Sequence, residues 1–293
     1  MKNKMKVLSL FDGISCARVA LERAGILVET YYASEIHEPS IKISKKNYPD
    51  IIQIGDVTKI STEEIDKDIW LLIGGSPCQD LSIAGTKKGL NGERSGLFYN
   101  FLELRNKIKP SFFILENVAS MKEEERKKIS EELGVESIMI DAGKLSAQTR
   151  KRYFWVGKLE KDGTYSKVEV KQPEDKNIFI KDILESKGED ITDRMNKKVK
   201  GTLAHKKTWG NVRNTNQKLK TLTKAGQGIC NSGATNILLE NGRYKKPTEI
   251  ECERAQGLPD NYTQGISSTQ RYGSLGNAFN VDVVAHILTN LDK

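Results

Sequence analysis

Cys78 lies in Gly74-Gly75-Ser76-Pro77-Cys78-Gln79-Asp80-Leu81-Ser82, directly behind the apolar run Ile69–Ile73. The run reads as a buried strand, and Gly-Gly and Ser-Pro are turn signals, so the thiol is expected where a core strand opens into a loop. In an open α/β sheet, that edge is where ligands bind. A thiol there, beside cations, gains thiolate character and becomes a nucleophile; a buried, inert cysteine is the commoner role for this residue type. Glu116, in Glu116-Asn117-Val118, closes a second apolar run, Ser111–Leu115, and is expected at the same edge. Arg150 and Arg152, in Gln148-Thr149-Arg150-Lys151-Arg152, precede and open the strand-like Arg152–Val156. With one residue between them in extended chain they point to one side, toward an anion, a polar base edge, or solvent.

The elements that must position these groups begin with a predicted strand Lys6–Phe11, a tight turn Asp12-Gly13-Ile14-Ser15 and a helix Cys16–Ala24 stopped by Gly25. The turn lacks G-x-G-x-x-G, which argues against a pyrophosphate and allows a nucleoside without phosphate against Gly13. Glu35 ends the next strand, Val28–Ser34, about 20 residues on, where such folds place an acid for ribose hydroxyls. Asp56, in Gly55-Asp56-Val57 after the apolar Ile51–Ile54, is an acceptor for an adenine amino group. Either acid alone also fits a solvated loop; the succession of turns favours the nucleoside. Further helices are expected at Ser95–Ile108, Thr248–Gln256 and Val281–Leu291, and a further strand at Val135–Ile140. The polar Leu81–Gly96 reads as a loop able to gate the thiol.

The 293 residues suffice for two unequal lobes. No apolar run approaches the roughly 18 residues of a membrane span, and a soluble, intracellular protein is expected. The four cysteines are far apart and only three histidines occur, so neither a zinc site nor a disulfide framework is expected. A formal net charge of +8 points to an anionic partner. From Glu160 to about Asn241 the apolar strands thin out, marking a smaller lobe. Between Arg194 and Leu239 there is no Asp or Glu, while Lys206, Lys207, Arg213, Lys218, Lys220 and Lys224 are among the cations. An ordinary solvated face mixes its signs, so phosphate-backbone contact is the favoured use. Asn211, Asn214, Asn216, Gln217, Thr221, Thr223 and Gln227 are candidates for reading base edges, though a disordered polar loop has the same composition.

Taken together, these stretches resemble the C5-cytosine DNA methyltransferase family over most of the chain. Phe11-Asp12-Gly13, Gly74–Ser82 with Pro77-Cys78, Glu116-Asn117-Val118, Gln148-x-Arg150-x-Arg152, Glu253-Arg254-Ala255-Gln256-Gly257-Leu258-Pro259 and Leu275-Gly276-Asn277 follow in the family's order. Lys246-Pro247 stands where Thr-Pro is more usual, and Ala278-Phe279 where a Ser is frequent. The resemblance implies an α/β, Rossmann-like S-adenosylmethionine-dependent methyltransferase fold with a small, mostly irregular and β target-recognition domain. Its catalytic domain would span 1–159, completed by 246–293, with target recognition in 160–245. A small prokaryotic or phage-type enzyme is the closest likeness, expected as a cytoplasmic monomer acting on double-stranded DNA, with a restriction endonuclease as a potential companion.

For the site, the resemblance implies that Cys78, Glu116, Arg150 and Arg152 carry the chemistry, leaving open which arginine meets cytosine O2. It implies cofactor contacts from Phe11, Asp12, Gly13, Ile14, Ser15, Glu35, Ile36, Asp56, Val57, Gly74, Pro77, Leu97, Asn277 and Ala278. DNA contacts are assigned to Gln79, Ser82, Lys87, Lys88 and Arg94 beside the thiol, and to Lys206, Lys207, Arg213, Lys218, Lys220 and Lys224 in the recognition lobe. A thiolate at cytosine C6 activates C5 toward a sulfonium methyl, with the base flipped from the duplex, and no side chain declares itself as the base for the C5 proton. One family branch methylates transfer RNA and carries a Cys-Phe-Thr element, which is absent from this sequence. The joint presence of Cys78, Glu116, Arg150 and Arg152 counts against a catalytically silent binding protein, and the thiol together with the basic stretch against a methyltransferase for protein or small molecules.

Overall fold

The computed structural model describes residues 4–76, 96–196, 208–231 and 233–291. The chain forms two compact units: Met1–Ile140 with Lys151–Gln172 and Val284–Lys293, and Asp141–Arg150 with Pro173–Val283.

The first unit is built on β1 (Met5–Leu10), β2 (Val28–Ser34), β3 (Ile52–Gln53), β4 (Leu71–Gly75), β5 (Phe112–Val118), β6 (Ile138–Asp141), β7 (Lys151–Leu159) and β8 (Tyr165–Lys167). Their order in the sheet is β3-β2-β1-β4-β5-β7-β6, with β8 paired to β7. β1 to β5 are mutually parallel. β7 runs antiparallel to β5, from Phe112 opposite Lys158 to Val118 opposite Arg152. The near-continuous apolar runs of β1, β4 and β5 follow from burial of a parallel sheet on both faces; Leu8, Leu10, Leu72, Phe113 and Leu115 are each fully buried.

The connecting helices are α1 (Cys16–Arg23), α2 (Glu38–Asn47), α3 (Leu97–Ile108) and α4 (Glu123–Leu133). α4 is rich in charge and presents only Ile129, Ser130 and Leu133 to the core. Glu123, Glu124 and Glu125 in its first turn complement the positive end of the helix dipole, and Gly134, at φ 73°, ends it. Gly157 of β7 makes room for Phe113: a Cβ there would lie 2.2 Å from the ring. Among the described residues, no helix is long and apolar enough to cross a membrane.

The second unit holds a small sheet in the order β11 (Tyr244–Lys245), β10 (Asn236–Leu238), β9 (Val212–Asn214). Its core gathers Ala147, Ile180, Ile183, Leu219, Ile237 and Ala255. The helices Glu249–Ala255 and Ser268–Asn277 each begin in a capping box, Thr248 with Glu251 and Ser267 with Gln270. The two units follow contacts, whereas the expected lobes follow composition, and the boundaries differ. Residues 160–172 join the first unit because β8 pairs with β7. Residues 141–150 and 246–283 join the second, where Gln148 donates to Ala255 O and the Gln256 side chain.

Candidate active site

Strand order reverses between β1 and β4, and in such sheets the crevice beyond the carboxyl ends at that switch point receives ligands. The turn beyond β1 takes left-handed backbone at Phe11, Gly13 and Ser15, with φ of 56°, 61° and 59°. It is held by Asp12, a nearly fully buried carboxylate that accepts from Ser15 Oγ at 2.5 Å and Tyr31 Oη at 2.7 Å. Burial pushes the Asp12 carboxyl up to about 6, against the pull of these hydroxyls. From the end of β2, Glu35 Oε2 accepts the Gly13 N–H at 2.8 Å, while Oε1 accepts the N–H groups of Ile36 and His37. Glu35 thus ties the first turn to the second and keeps one Oε2 lone pair for a further donor.

Ile36 stands 71% exposed beside it. Asp56 Oδ1 accepts both donors of Thr58, whose hydrogen bonds hold the Asp56 carboxyl below its ordinary range. Ile14, Ser15, Val57 and Gly74 are buried supports of this edge. A Cβ on Gly74 would press on Leu10 O at 3.1 Å and Phe101 at 3.2 Å, so glycine eases the packing of strand and helix there. Leu97 opens α3 and packs against the core.

β4 ends at Gly75, and Ser76 follows, its hydroxyl held by Asn117 Nδ2 at 3.1 Å from the end of β5. Pro77, Cys78, Gln79, Ser82, Lys87, Lys88 and Arg94 lie outside the described residues, as does most of the expected gating loop. Glu116 opposes Gly75 on one side and Phe154 on the other. Arg152 is two residues from Phe154 and so is a diagonal neighbour of Glu116 on the same face; its Nε lies 2.8 Å from Glu116 Oε1, with both side chains largely shielded. Because β7 is antiparallel, its first residues share the edge with the last residues of β5.

Arg150 belongs to the second unit and holds different partners from Arg152. It is 3% exposed and donates to Leu222 O at 3.0 Å, Gly276 O at 3.1 Å and Ala278 O at 2.8 Å. Asn277 is exposed at the end of its helix, followed by buried Ala278. Among the basic-stretch residues, Lys218 Nζ donates to Ile178 O at 2.6 Å and Ser146 O at 3.2 Å, and Lys220 Nζ to Asn211 Oδ1 at 2.6 Å. Burial lowers the pKa of both lysines. Arg213 caps the carbonyls of Val212 and Gly210, and Lys224 is exposed. Asn211 and Gln227, expected to read base edges, are instead buried in internal hydrogen bonds. Lys206 and Lys207 lie outside the described residues. Asn117 and Gln148 are not among the expected site residues, though both stand in the stretches that carry the resemblance. Among the described residues, no cluster of His, Cys, Asp or Glu is arranged to hold a metal.

The C-5 cytosine-specific DNA methylase family matches this chain over residues 5–293. The chain belongs to this family. Type II methyltransferase M1.ScrFI of Lactococcus lactis subsp. cremoris is 30% identical to this methyltransferase, over 96% of this chain and 76% of its own. Type II methyltransferase M.NlaIV of Neisseria lactamica is 29% identical, over 94% and 70% respectively. Of solved structures, the Entamoeba histolytica methyltransferase EhMeth matches the fold with a TM-score of 0.77 at 21% identity, covering 98% of both chains. This methyltransferase therefore has the Rossmann-like fold that the resemblance implied, and is a DNA (cytosine-5-)-methyltransferase that uses S-adenosylmethionine.

Proposed function

We propose that this enzyme methylates C5 of a cytosine flipped out of a short duplex site, through a covalent bond between Cys78 Sγ and C6. The observation that carries the reading is the Glu116–Arg152 pair beside the end of β4 at Gly75, three residues before Cys78 in the sequence. Cytosine C5 is a poor nucleophile until the thiolate adds to C6; the C5–C6 electron pair then moves onto C5 and N3. Glu116 holds a proton at N3 and Arg152 donates to O2, so the negative charge is met where it develops. After the methyl group has bonded to C5, a base takes the C5 proton, the C5–C6 double bond reforms and the thiolate departs. C6 is inaccessible in a stacked duplex, which is why the base must leave the stack.

The first unit's edge suits a nucleoside cofactor. Its turn commits the Gly13 N–H to Glu35 and offers carboxylates in place of free N–H groups, which disfavours phosphate and favours hydroxyl and amino donors. Glu35 would take a ribose hydroxyl, Asp56 the adenine amino group, and Ile36 the adenine face; Phe11, Gly13, Pro77 and Leu97 would complete the contacts. When bound, S-adenosylmethionine supplies an electrophilic methyl group on a positively charged sulfur. The basic stretch would contact the DNA backbone. We further propose a cytoplasmic monomer of bacterial or phage type, with a restriction endonuclease as companion; the type II relatives support the pairing.

The test is single-base methylation mapping of plasmid DNA treated with the purified protein and S-adenosylmethionine. C5 methylation in one recurring context, lost in Cys78→Ala, is expected. An unmodified plasmid would overturn the reading and turn attention to RNA.

A further inference from the structure

Gln148, Thr149 and Arg150 run alongside Leu219–Leu222 as an added strand-like pair. Leu219 N donates to Ala147 O at 2.7 Å, Thr149 N to Leu219 O at 3.0 Å, and Thr221 Oγ1 to Thr149 O at 2.6 Å. The side chains complete the splice. Gln148, wholly buried, accepts the Leu222 N–H and donates to Ala255 O and the Gln256 amide. Arg150 grips Leu222 O with one nitrogen, and Gly276 O and Ala278 O with another. Beyond Leu222 the backbone crosses the end of the helix Ser268–Asn277 so closely that a Cβ on Gly276 would lie 2.1 Å from the Thr223 carbonyl carbon and 2.5 Å from Lys224 N.

The segment held this way carries Lys224. Among the described cations of the acid-free stretch, Arg194 pairs with Glu189, and Arg213, Lys218 and Lys220 spend donors on internal acceptors. Lys224 is exposed and, among the described residues, makes no ion pair or side-chain hydrogen bond. A guanidinium holds carbonyls from two segments with planar donors fixed in direction, whereas an ammonium on a flexible stem leaves that geometry looser.

We infer that Arg150 is a positioning residue: it locks the Leu222–Lys224 segment onto the Gly276–Ala278 turn and so presents Lys224 to a DNA phosphate, without touching the reacting cytosine. This rests on the proposed reading of the chain as a DNA-modifying enzyme. A group acting on the base lowers kcat; a group acting through DNA placement raises KM for DNA.

The experiment compares methyl transfer to plasmid DNA by wild type, Arg150→Met, Arg150→Lys, Gly276→Ala, Lys224→Gln and the Arg150→Met/Lys224→Gln double variant. Arg150→Met is expected to raise KM for DNA roughly tenfold and lower kcat about threefold or less, with partial recovery in Arg150→Lys. Lys224→Gln should lower the salt slope of DNA binding by about one, and the double variant should cost less than the sum. Gly276→Ala displaces the same segment with every charge in place, and a raised KM there carries the inference even where Arg150→Met fails to fold. A kcat loss of about a hundredfold or more at unchanged KM in Arg150→Met, full additivity with Lys224→Gln, or an unchanged KM in Gly276→Ala would each overturn it. Wild-type protein that methylates no DNA removes the underlying reading as well, whereas active wild type with unaltered variants removes this inference alone.

Discussion

Asp12→Asn should make the protein more stable, and more so at alkaline pH. Asp12 is nearly fully buried, and its carboxyl is pushed up to about 6 from an ordinary value of 3.8. The folded chain therefore holds the proton more tightly than the unfolded one. Asp12 favours folding most below pH 4, and that contribution is lost as pH rises through about 6, after which it is constant. The gap of about two units, at about 1.4 kcal/mol each, is a cost of about 3 kcal/mol at pH 8, about half of which has developed by pH 5. Asparagine keeps the shape. Its Oδ1 can accept from Tyr31, and its Nδ2 can donate to Ser15 Oγ, which then donates to Ser44 Oγ at 2.6 Å. Allowing about 1 kcal/mol for the weaker neutral hydrogen bonds, the expected gain is about 2 kcal/mol at pH 8 and under about 1 kcal/mol at pH 5. Urea titrations of both proteins at the two pH values read it as a shift in midpoint at constant slope. A variant no more stable than wild type at pH 8, or a gain that ignores pH, would refute the reasoning.

Glu116→Gln keeps the side-chain shape but cannot hand a proton to N3; kcat should fall by about a hundredfold or more. Equilibrium cofactor binding should move by less than about threefold, and a large loss of binding would place Glu116 in the cofactor site instead. Gly157→Ala drives a methyl group into the Phe113 ring and should cost about 1–3 kcal/mol in urea unfolding. Lys245→Met strips the partner, at 2.5 Å, from the fully buried Glu251. About 3–5 kcal/mol of stability should go with it, and a neutral result would mean that Glu251 is neutralised by other means.

The parallel strands are legible in the sequence because each must be apolar on both faces. Val28–Ser34 matches the observed β2 to the residue, and Ile69–Ile73 overlaps β4 with its end two residues short. α4 is not legible, since it is mostly Glu, Lys and Arg and its few inward residues are too sparse to set a period. Its first-turn acids and the stop at Gly134 are the signals that could have found it. In the basic stretch, composition carries the charge without its direction. The ammonium groups of Lys218 and Lys220 turn onto internal acceptors. Two of those acceptors, Ser146 O and Ile178 O, lie 72 and 40 residues from Lys218 along the chain, beyond the reach of any local pattern. The spacing of Arg150 and Arg152 suggests one shared target; the chain instead passes from one compact unit to the other between them.

Strand direction decides the chemistry of the edge. β7 begins at Lys151 and pairs with β5 so that Arg152 opposes Val118, near the end that carries Glu116. A parallel β7 would bring Arg152 opposite the start of β5 at Phe112, about 13 Å from Glu116 at roughly 3.3 Å per residue, and Glu116 would face Gly75 without a cation. The periodicity of Arg152–Val156 is the same in either direction, so the sequence pattern alone is silent on this. What distinguishes the two arrangements is the Glu116–Arg152 contact itself, together with the Gly157 gap that lets Phe113 pass in the antiparallel register. The arginine at the first residues of a strand and the acid near the last residues of its neighbour, both proposed to act on the base, are thus one requirement, met by β7 running antiparallel beside the parallel β1 to β5.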